Sequence, residues 1–137
     1  MLSPDGRFVA YVSNESGRAE IYVRPFPDGA GRWQASVEGG SQPRWSRDGR
    51  ELYYVQNTTL MSVSVSTGQG VTLGQPRPLF QSDVLGSTAP PPNYDVSADG
   101  QRILTRRPIQ NAGGEAEPPK IRVVQNWHEE FRGRKRD

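Results

Sequence analysis

Acidic side chains at repeated positions are the first residues of this chain that could carry out chemistry. Asp5, Asp48 and Asp99 each stand in a Ser-x-Asp-Gly segment, and Asp95 lies just before the third of these segments. Carboxylates gathered in turns bind calcium where a site supplies about six to eight oxygen ligands. One or two carboxylates per turn fall short of that number, so we interpret these residues as turn-capping groups.

Two other segments contain the residue types of a ligand site without its spacing. Residues 68–74 come near the dinucleotide-binding fingerprint, but the third glycine falls one position late and no helix is predicted after it. We interpret them as a hairpin loop. His128 is followed directly by Glu129 and Glu130, and adjacent side chains diverge where a metal needs convergent ligands. We interpret these three as surface residues.

Missing residue types exclude several classes of site. The chain has no cysteine, which excludes disulfides, cysteine-based zinc sites and thiol catalysis. It has one histidine, which excludes any site built on two imidazoles. No Gly-x-Ser-x-Gly segment occurs, so no serine-hydrolase nucleophile is visible. We therefore expect a protein that is not an enzyme, with no catalytic, cofactor-binding or metal-binding residue.

The net charge of +2 comes from the end of the chain. The last six residues, 132–137, hold four cations and one anion, and the rest of the chain has a net charge of −1. A nucleic-acid surface needs cations clustered on the folded body. We therefore expect no nucleic-acid partner, and we predict that residues 128–137 form a disordered basic tail.

The chain contains an internal repeat, and it predicts the strands and turns that position the aspartates of the Ser-x-Asp-Gly segments. Residues 3–14 read SPDGRFVAYVSN, residues 46–57 read SRDGRELYYVQN, and residues 97–108 read SADGQRILTRRP. The offsets of 43 and 51 residues are close to the roughly 40–50 residues of a propeller unit with four strands. Asp-Gly closes a tight hairpin, and the β-branched and aromatic run after each turn predicts an inner strand buried on both faces.

The pattern of apolar and turn-forming residues predicts ten strands. They are residues 9–12, 20–24, 32–36, 42–46, 52–55, 60–65, 78–81, 93–97, 103–105 and 120–124. We expect the strand at 60–65 to be half-buried, because apolar and polar residues alternate in it. Residues 82–92 and 108–119 are predicted as long loops, and residues 127–132 as one helical turn.

Composition and repeat together predict an all-β fold. Glycine and proline make up about a fifth of the chain, which suits short strands joined by turns. We expect a partial β-propeller of about two and a half four-stranded antiparallel blades over residues 1–127, with units at 1–40, 41–91 and 92–127. The first unit lacks its first strand and the third lacks its fourth. The open sheet edges favour self-association.

The same segments carry a family resemblance. Residues 3–14 resemble the WD40-like PD40 repeat best known from TolB, and residues 13–27, 40–52 and 121–127 resemble the C-terminal propeller of large bacterial receptor-like Ser/Thr protein kinases. The resemblance implies an upstream kinase domain, commonly followed by a membrane helix. The kinase Gly-rich loop, His-Arg-Asp and Asp-Phe-Gly motifs do not occur in this sequence. We therefore assign a role in kinase catalysis to no residue of this chain.

The resemblance implies a binding or scaffold module that recognises a protein or peptide through the loops at one end of its sheets. Alternatives are the propeller segment of a prolyl-oligopeptidase-type peptidase and a TolB-like periplasmic scaffold. Trp33 and Trp45 are candidates for a binding rim, although we favour core positions for both. No signal peptide and no apolar run of about 18 residues is visible, and attachment to a membrane-spanning kinase would imply an extracytoplasmic or periplasmic location.

Overall fold

Three antiparallel β-sheets lie face to face in this computed structural model, which describes residues 1–68, 70–86, 92–106 and 121–125. These residues form eleven strands and one short 3-10 turn, Asp83–Gly86. The strands are β1 (Phe8–Ser13), β2 (Glu20–Pro25), β3 (Trp33–Gln34), β4 (Ser41–Trp45), β5 (Glu51–Gln56), β6 (Thr59–Ser66), β7 (Thr72–Leu73), β8 (Arg77–Gln81), β9 (Tyr94–Val96), β10 (Arg102–Arg106) and β11 (Ile121–Gln125).

The chain order gives each sheet its own run of consecutive strands. Sheet 1 has the order β1-β2-β3, sheet 2 the order β4-β5-β6 with β7 and β8 both paired to β6, and sheet 3 the order β9-β10-β11. Leu2 also forms a single antiparallel bridge with Val9, so sheet 1 contains a two-residue remnant of the strand that we expected to be missing. All ten predicted strands are present, most of them shifted by one or two residues.

The outer strand of sheet 2 is longer than predicted, because β7 was missed. Val65 pairs with Leu73 in β7, and Leu60 pairs with Phe80 in β8. Between them the Gly74 amide donates to the Ser64 carbonyl at 2.9 Å. The two short strands therefore follow β6 as one broken outer strand, and only its second half has an apolar pattern visible in the sequence.

Sheet 2 is covered on both faces, and β5 shows this residue by residue. Leu52 and Tyr54 are fully buried in the core shared with sheet 1. Tyr53 and Val55, which alternate with them, are buried in the core shared with sheet 3. The prediction of an inner strand buried on both faces is therefore confirmed for β5.

The same prediction is wrong for β1 and β10. Val9 and Tyr11, the repeat counterparts of Leu52 and Tyr54, are only partly buried. Leu104 in β10 is 44 % exposed. The physical reason is that the described residues provide no sheet beyond sheet 1 or sheet 3, so the far face of each terminal sheet is not covered by another sheet. On sheet 1 that face is covered in part by the chain itself, because Arg32 lies over the ring of the buried Tyr22.

The strand at 60–65 follows its predicted half-burial only in its second half, where Ser64 is exposed between the buried Val63 and Val65. Leu60, Met61, Ser62 and Val63 are all buried, because β6 lies in the middle sheet and both of its faces are covered. The predicted loop at 82–92 contains the 3-10 turn, whose Leu85 is fully buried in the core between sheets 2 and 3. The predicted loop at 108–119, the helical turn at 127–132 and the basic tail at 128–137 lie outside the described residues.

A buried carboxylate joins sheet 1 to the connection that leads into sheet 2. Glu20 is 1 % exposed and accepts hydrogen bonds from Arg18 Nε at 2.6 Å, from the Gly39 amide at 3.0 Å and from Ser36 Oγ. Burial by itself raises the pKa of this carboxyl, but the hydrogen bonds from Ser36, Arg18 and Gly39 outweigh it and leave the pKa below its ordinary value. Ser36 Oγ also accepts from the Ile21 amide at 2.8 Å, so the charge is fully bonded.

A neutral network joins sheet 2 to sheet 3 at the same end. Gln42 adopts a left-handed backbone conformation with φ of 54°, and its side-chain Oε1 accepts from the Asn93 amide at 2.8 Å. The Tyr94 hydroxyl donates to the Gln42 carbonyl at 2.7 Å. The edge strand β4 of sheet 2 is thus fastened to the start of sheet 3.

The buried hydroxyl of Tyr54 has no hydrogen-bond partner among the described residues. Burial, followed by the nearby charges of Glu20 and Glu38, raises the pKa of Tyr54 to about 12. An unpaired buried polar group costs about 1–3 kcal/mol. We predict that Tyr54→Phe raises the free energy of unfolding by about 1 kcal/mol, as measured by urea denaturation.

The matched control is Tyr94→Phe, which removes a made hydrogen bond to Gln42. It should lower the free energy of unfolding by about 1 kcal/mol or more. A Tyr54→Phe variant as destabilised as Tyr94→Phe would contradict the prediction, since it would show that the Tyr54 hydroxyl is satisfied in solution.

Candidate functional site

The three Ser-x-Asp-Gly segments form turns at one end of the stack, which we call the turn end. In the first turn, the Ser3 hydroxyl donates to Asp5 Oδ1 at 2.6 Å, and the Arg7 amide donates to the same oxygen at 3.1 Å. Ser3 Oγ in turn accepts from the Phe8 amide at 3.0 Å. The aspartate and serine thus bond the donors that the turn leaves free.

The second and third turns repeat this arrangement. Ser46 donates to Asp48 at 2.7 Å, and Ser97 donates to Asp99. The glycine that follows each aspartate has φ of 70°, 71° and 69° in the three turns, a left-handed conformation that costs an L-residue roughly 1–2 kcal/mol. The repeated Ser-x-Asp-Gly segment therefore corresponds to a repeated local structure.

The turn aspartates are structural acceptors in the described residues. Hydrogen bonds from Ser3 and then Arg7 lower the pKa of Asp5 to about 2. Hydrogen bonds from the preceding serine and from a backbone amide likewise lower the pKa of Asp48 and of Asp99. No group of three or more acidic or histidine side chains in the described residues is arranged to hold a metal. Asp95 lies apart on β9, where its Oδ1 accepts from the Val96 amide.

A polar cleft of about 320 Å³ opens at the turn end between sheets 2 and 3. Turn residues 46–48 form one wall and residues 98–101 the other. Glu51 and Arg77 lie between them and form an ion pair of 3.1 Å from Nη2 to Oε1. The Arg77 side chain is 56 % exposed, so this pair is accessible to a ligand.

The Tyr53 side chain, which also lines the cleft, supplies a neutral hydroxyl. Burial, and secondarily the charge of Glu51, raises the pKa of Tyr53 to about 12. The hydroxyl therefore keeps its proton at physiological pH. Gly100 lies across the cleft, where a Cβ would come within 3.5 Å of the Tyr53 hydroxyl. The cleft thus combines a cation, an anion and a neutral hydroxyl within one concave surface.

The equivalent position between sheets 1 and 2 carries apolar residues instead. Phe8 occupies the repeat position of Glu51, and it packs against the core between those sheets. Pro4 occupies the position of Arg47, and its Cδ would lie 3.6 Å from a Cβ on Gly49. The same fold position carries apolar residues at one junction and charged residues at the other, which marks the second junction as the candidate site.

A second cavity of about 390 Å³ lies at the opposite end of sheet 1 and is lined by Arg18, Glu20, Gln34 and Val37, with Ser16 and Gly17. Its one buried charge, Glu20, is already bonded to Arg18, Ser36 and the Gly39 amide. This cavity therefore offers a ligand mainly exposed surface, and we assign it no binding role.

The remaining sequence candidates lie away from the turn-end cleft. Residues 68–74 contain the connection from β6 to β7, with Gln69 outside the described residues. His128, Glu129 and Glu130 also lie outside them. Trp45 is buried in the core between sheets 1 and 2, and Trp33 packs against the same core.

Sequence reasoning missed the cleft. The available signal was the replacement of Pro4 and Phe8 in the first repeat by Arg47 and Glu51 in the second. That change becomes visible only when the residues that differ between the two aligned repeats are compared, rather than the residues that they share.

Comparisons with known proteins give no family match: no protein-family model and no curated protein matches this chain. Solved structures do match. An oligogalacturonate lyase from Vibrio parahaemolyticus has a TM-score of 0.53 and 16 % identity over 76 % of this chain and 26 % of that one. A putative TolB from Agrobacterium tumefaciens has a TM-score of 0.51 and 19 % identity over 89 % of this chain and 42 % of that one.

A third match, a putative 6-phosphogluconolactonase from Bacteroides uniformis, has a TM-score of 0.51 and 19 % identity over 77 % of this chain and 31 % of that one. The chain thus spans between about a quarter and two fifths of the length of these structures. At such identities the likeness concerns the fold. The chain is a partial β-propeller of antiparallel sheets with a TolB-like fold, which confirms the predicted fold class.

The sequence contains no apolar run long enough to span a membrane. Among the described residues, no helix has the length and hydropathy that a membrane span requires.

The pKa values of the turn aspartates predict an acid-sensitive fold. An aspartate whose pKa is lower in the folded protein than in the unfolded protein stabilises the fold at pH values above its unfolded-state pKa, which is about 4. That stabilisation is lost as the pH falls through the folded value, which is about 2 for Asp5. We predict that Asp5→Ala lowers the free energy of unfolding by about 1 kcal/mol at pH 7 and flattens its dependence between pH 4 and pH 2.

Urea denaturation at stepped pH measures this effect. Asp28→Ala, at an exposed loop position, is the control and should retain the wild-type pH dependence. An Asp5→Ala variant whose stability falls as steeply as that of the wild type between pH 4 and pH 2 would show that the turn carboxylate is not the titrating group.

Proposed function

We propose that this chain is a non-catalytic binding module that recognises a peptide segment of a protein at the turn-end cleft. We further propose that it is the C-terminal sensor portion of a bacterial receptor-like Ser/Thr protein kinase. The observation that carries the first part is the polar cleft between sheets 2 and 3, whose counterpart between sheets 1 and 2 carries the apolar residues Phe8 and Pro4.

The chemistry of the cleft suits a peptide backbone. A peptide group offers one donor and one acceptor, and the Glu51–Arg77 pair offers one of each on groups that water already reaches. Tyr53 adds a neutral hydroxyl. A volume of about 320 Å³ is at the small end of ligand sites, so it suits one or two residues of a longer segment rather than a large cofactor.

The rigidity of the walls supports a recognition role. Both walls are turns whose serine, aspartate and glycine bond one another, as at Ser46 and Asp48. The floor residue Tyr53 is 3 % exposed and belongs to the core between sheets 2 and 3. Groups held in this way lose little freedom when a ligand binds, which favours affinity.

Selection of a random peptide library on the purified chain tests the binding role. We expect enriched peptides whose affinity falls at least tenfold in Arg77→Ala, because the substitution removes the cleft cation. Arg24→Ala is the matched control, since Arg24 is an exposed arginine on β2 in sheet 1. Failure to enrich any peptide, or equal loss of affinity in both variants, would contradict the proposal.

The kinase attachment is supported by the resemblance of residues 13–27, 40–52 and 121–127 to the kinase-associated propeller. The coding sequence upstream of Met1 tests it directly. We expect an in-frame protein kinase domain there. An upstream region without a kinase domain would contradict this part, and an in-frame peptidase domain downstream of residue 137 would favour the prolyl-oligopeptidase-type alternative.

A further inference from the structure

The Tyr53 hydroxyl is a polar group that the fold itself does not use. Tyr53 is only 3 % exposed, and its side chain lines the turn-end cleft. Among the described residues, none forms a hydrogen bond with this hydroxyl. Buried polar groups in folded proteins are nearly always paired. An unpaired hydroxyl that faces a cleft therefore marks a position at which a ligand can form the missing bond.

Each wall of the cleft presents one carboxylate oxygen that its turn does not use. Oδ1 of Asp48 accepts from the Ser46 hydroxyl at 2.7 Å and from a backbone amide at 3.1 Å. Oδ1 of Asp99 accepts from the serine of its own turn and from a backbone amide at 3.0 Å. In the part of the chain that the structure describes, Oδ2 of Asp48 has no hydrogen bond, and Oδ2 of Asp99 has only the Arg102 guanidinium, at 3.8 Å. Two anionic oxygens therefore remain available.

The charges around the cleft favour a cationic ligand. Among the described residues that line it, three carry carboxylates and two carry guanidinium groups, namely Asp48, Glu51, Asp99, Arg47 and Arg77. After burial, the charge of Glu51 raises the pKa of Tyr53, that of Arg77 lowers it, and that of Asp48 raises it. Two anions and one cation therefore act on the hydroxyl. An anionic ligand would meet like charges on both walls, whereas a cation would meet opposite charges.

The bonding of these carboxylates selects the kind of cation. A guanidinium group pairs best with both oxygens of one carboxylate. That pairing is blocked at the two aspartates, whose Oδ1 atoms are bonded within their turns. It is also blocked at Glu51, where Oε1 accepts from Arg77 and Oε2 accepts from Ser62. An ammonium group is a compact charge with three donors, so it can donate to single oxygens that come from different sides.

We propose that the bound peptide places a primary ammonium group in the cleft, where it donates to the Tyr53 hydroxyl oxygen and to Oδ2 of Asp48 and of Asp99. A lysine side chain and a free amino terminus share this chemistry, and the experiment below distinguishes them. The inference rests on the peptide-binding role and deepens it. The Glu51–Arg77 pair keeps its role toward the peptide backbone.

Nuclear magnetic resonance titration of the purified chain with amino-acid derivatives tests the proposal. Nα-acetyl-lysine methylamide carries a side-chain ammonium group, norleucine methylamide carries an α-ammonium group, and Nα-acetyl-norleucine methylamide carries neither. We expect shifts of the Tyr53 and Asp48 resonances, and for one of the two ammonium compounds a Kd at least about tenfold lower than for the uncharged compound, because hydrogen bonds to charged groups are the stronger ones. The tighter compound identifies the source of the ammonium group. The acetylated arginine and glutamate methylamides should bind more weakly than that compound.

Asp48→Asn separates binding from folding. An asparagine Oδ1 can still accept from Ser46 and from the backbone amide, while the charge is lost. We expect a loss of affinity for the tighter ammonium compound of about tenfold. Asp5→Asn is the matched control, since Asp5 has the same contacts in the first turn and does not line the cleft. It should bind the ammonium compound as the wild type does.

Tyr53→Phe tests the hydroxyl. The substitution removes one oxygen that no described residue bonds, so the sheets should stay intact, as circular dichroism verifies. We expect affinity for the ammonium compound to fall at least about fivefold. Tyr54→Phe is the control, because the neighbouring Tyr54 faces the core between sheets 1 and 2. It should leave the affinity unchanged.

Four results would overturn the proposal. They are the absence of any shift at the cleft, equal affinity of the ammonium compounds and the uncharged compound, tighter binding of the glutamate compound, and equal losses in Asp48→Asn and Asp5→Asn. Library peptides that lack lysine and bind as tightly when N-acetylated would overturn it as well, while leaving the peptide-binding role intact. A library selection that enriches no peptide would contradict the peptide-binding role itself.

Discussion

The structure depends on the burial of both faces of the middle sheet. Leu52 and Tyr54 pack toward sheet 1, and Tyr53 and Val55 pack toward sheet 3, so four consecutive side chains of β5 hold two cores together. Fully burying each large apolar side chain contributes about 1.5–3 kcal/mol. Sheets 1 and 3 each pack one face against sheet 2. The walls of the turn-end cleft belong to sheets 2 and 3, which that packing holds together.

The packing of the three sheets also determines where polar side chains can be placed. The carboxylate of Glu20 and the carbonyl of Gln42 brace the two junctions at the end opposite the turns, where each is bonded to neighbouring strands or connections. At the turn end, Phe8 packs against the core at one junction, and Glu51 lines the cleft at the other. The two junctions thus differ because the second repeat has Arg47 and Glu51 where the first has Pro4 and Phe8.

Much of the fold could be predicted from the sequence because the repeat combines local and periodic signals. Asp48-Gly49 specifies a turn by its own chemistry, and the run 52–55 specifies a strand. Burial was predicted less well, since the exposure of Leu104 depends on whether another sheet follows. The strand β7 was missed because its pairing with Val65 is set by the neighbouring strand rather than by its own two residues. The cleft was missed because it lies between side chains that are distant in sequence.

The most direct test of the central packing is a nuclear Overhauser spectrum of the chain with assigned aromatic and methyl protons. The account predicts that the Tyr54 ring contacts side chains of sheet 1, such as Ile21, and that the Tyr53 ring contacts Ile103 of sheet 3. Contacts from both rings to the same sheet, or to neither, would contradict it, because β5 would then not separate two cores.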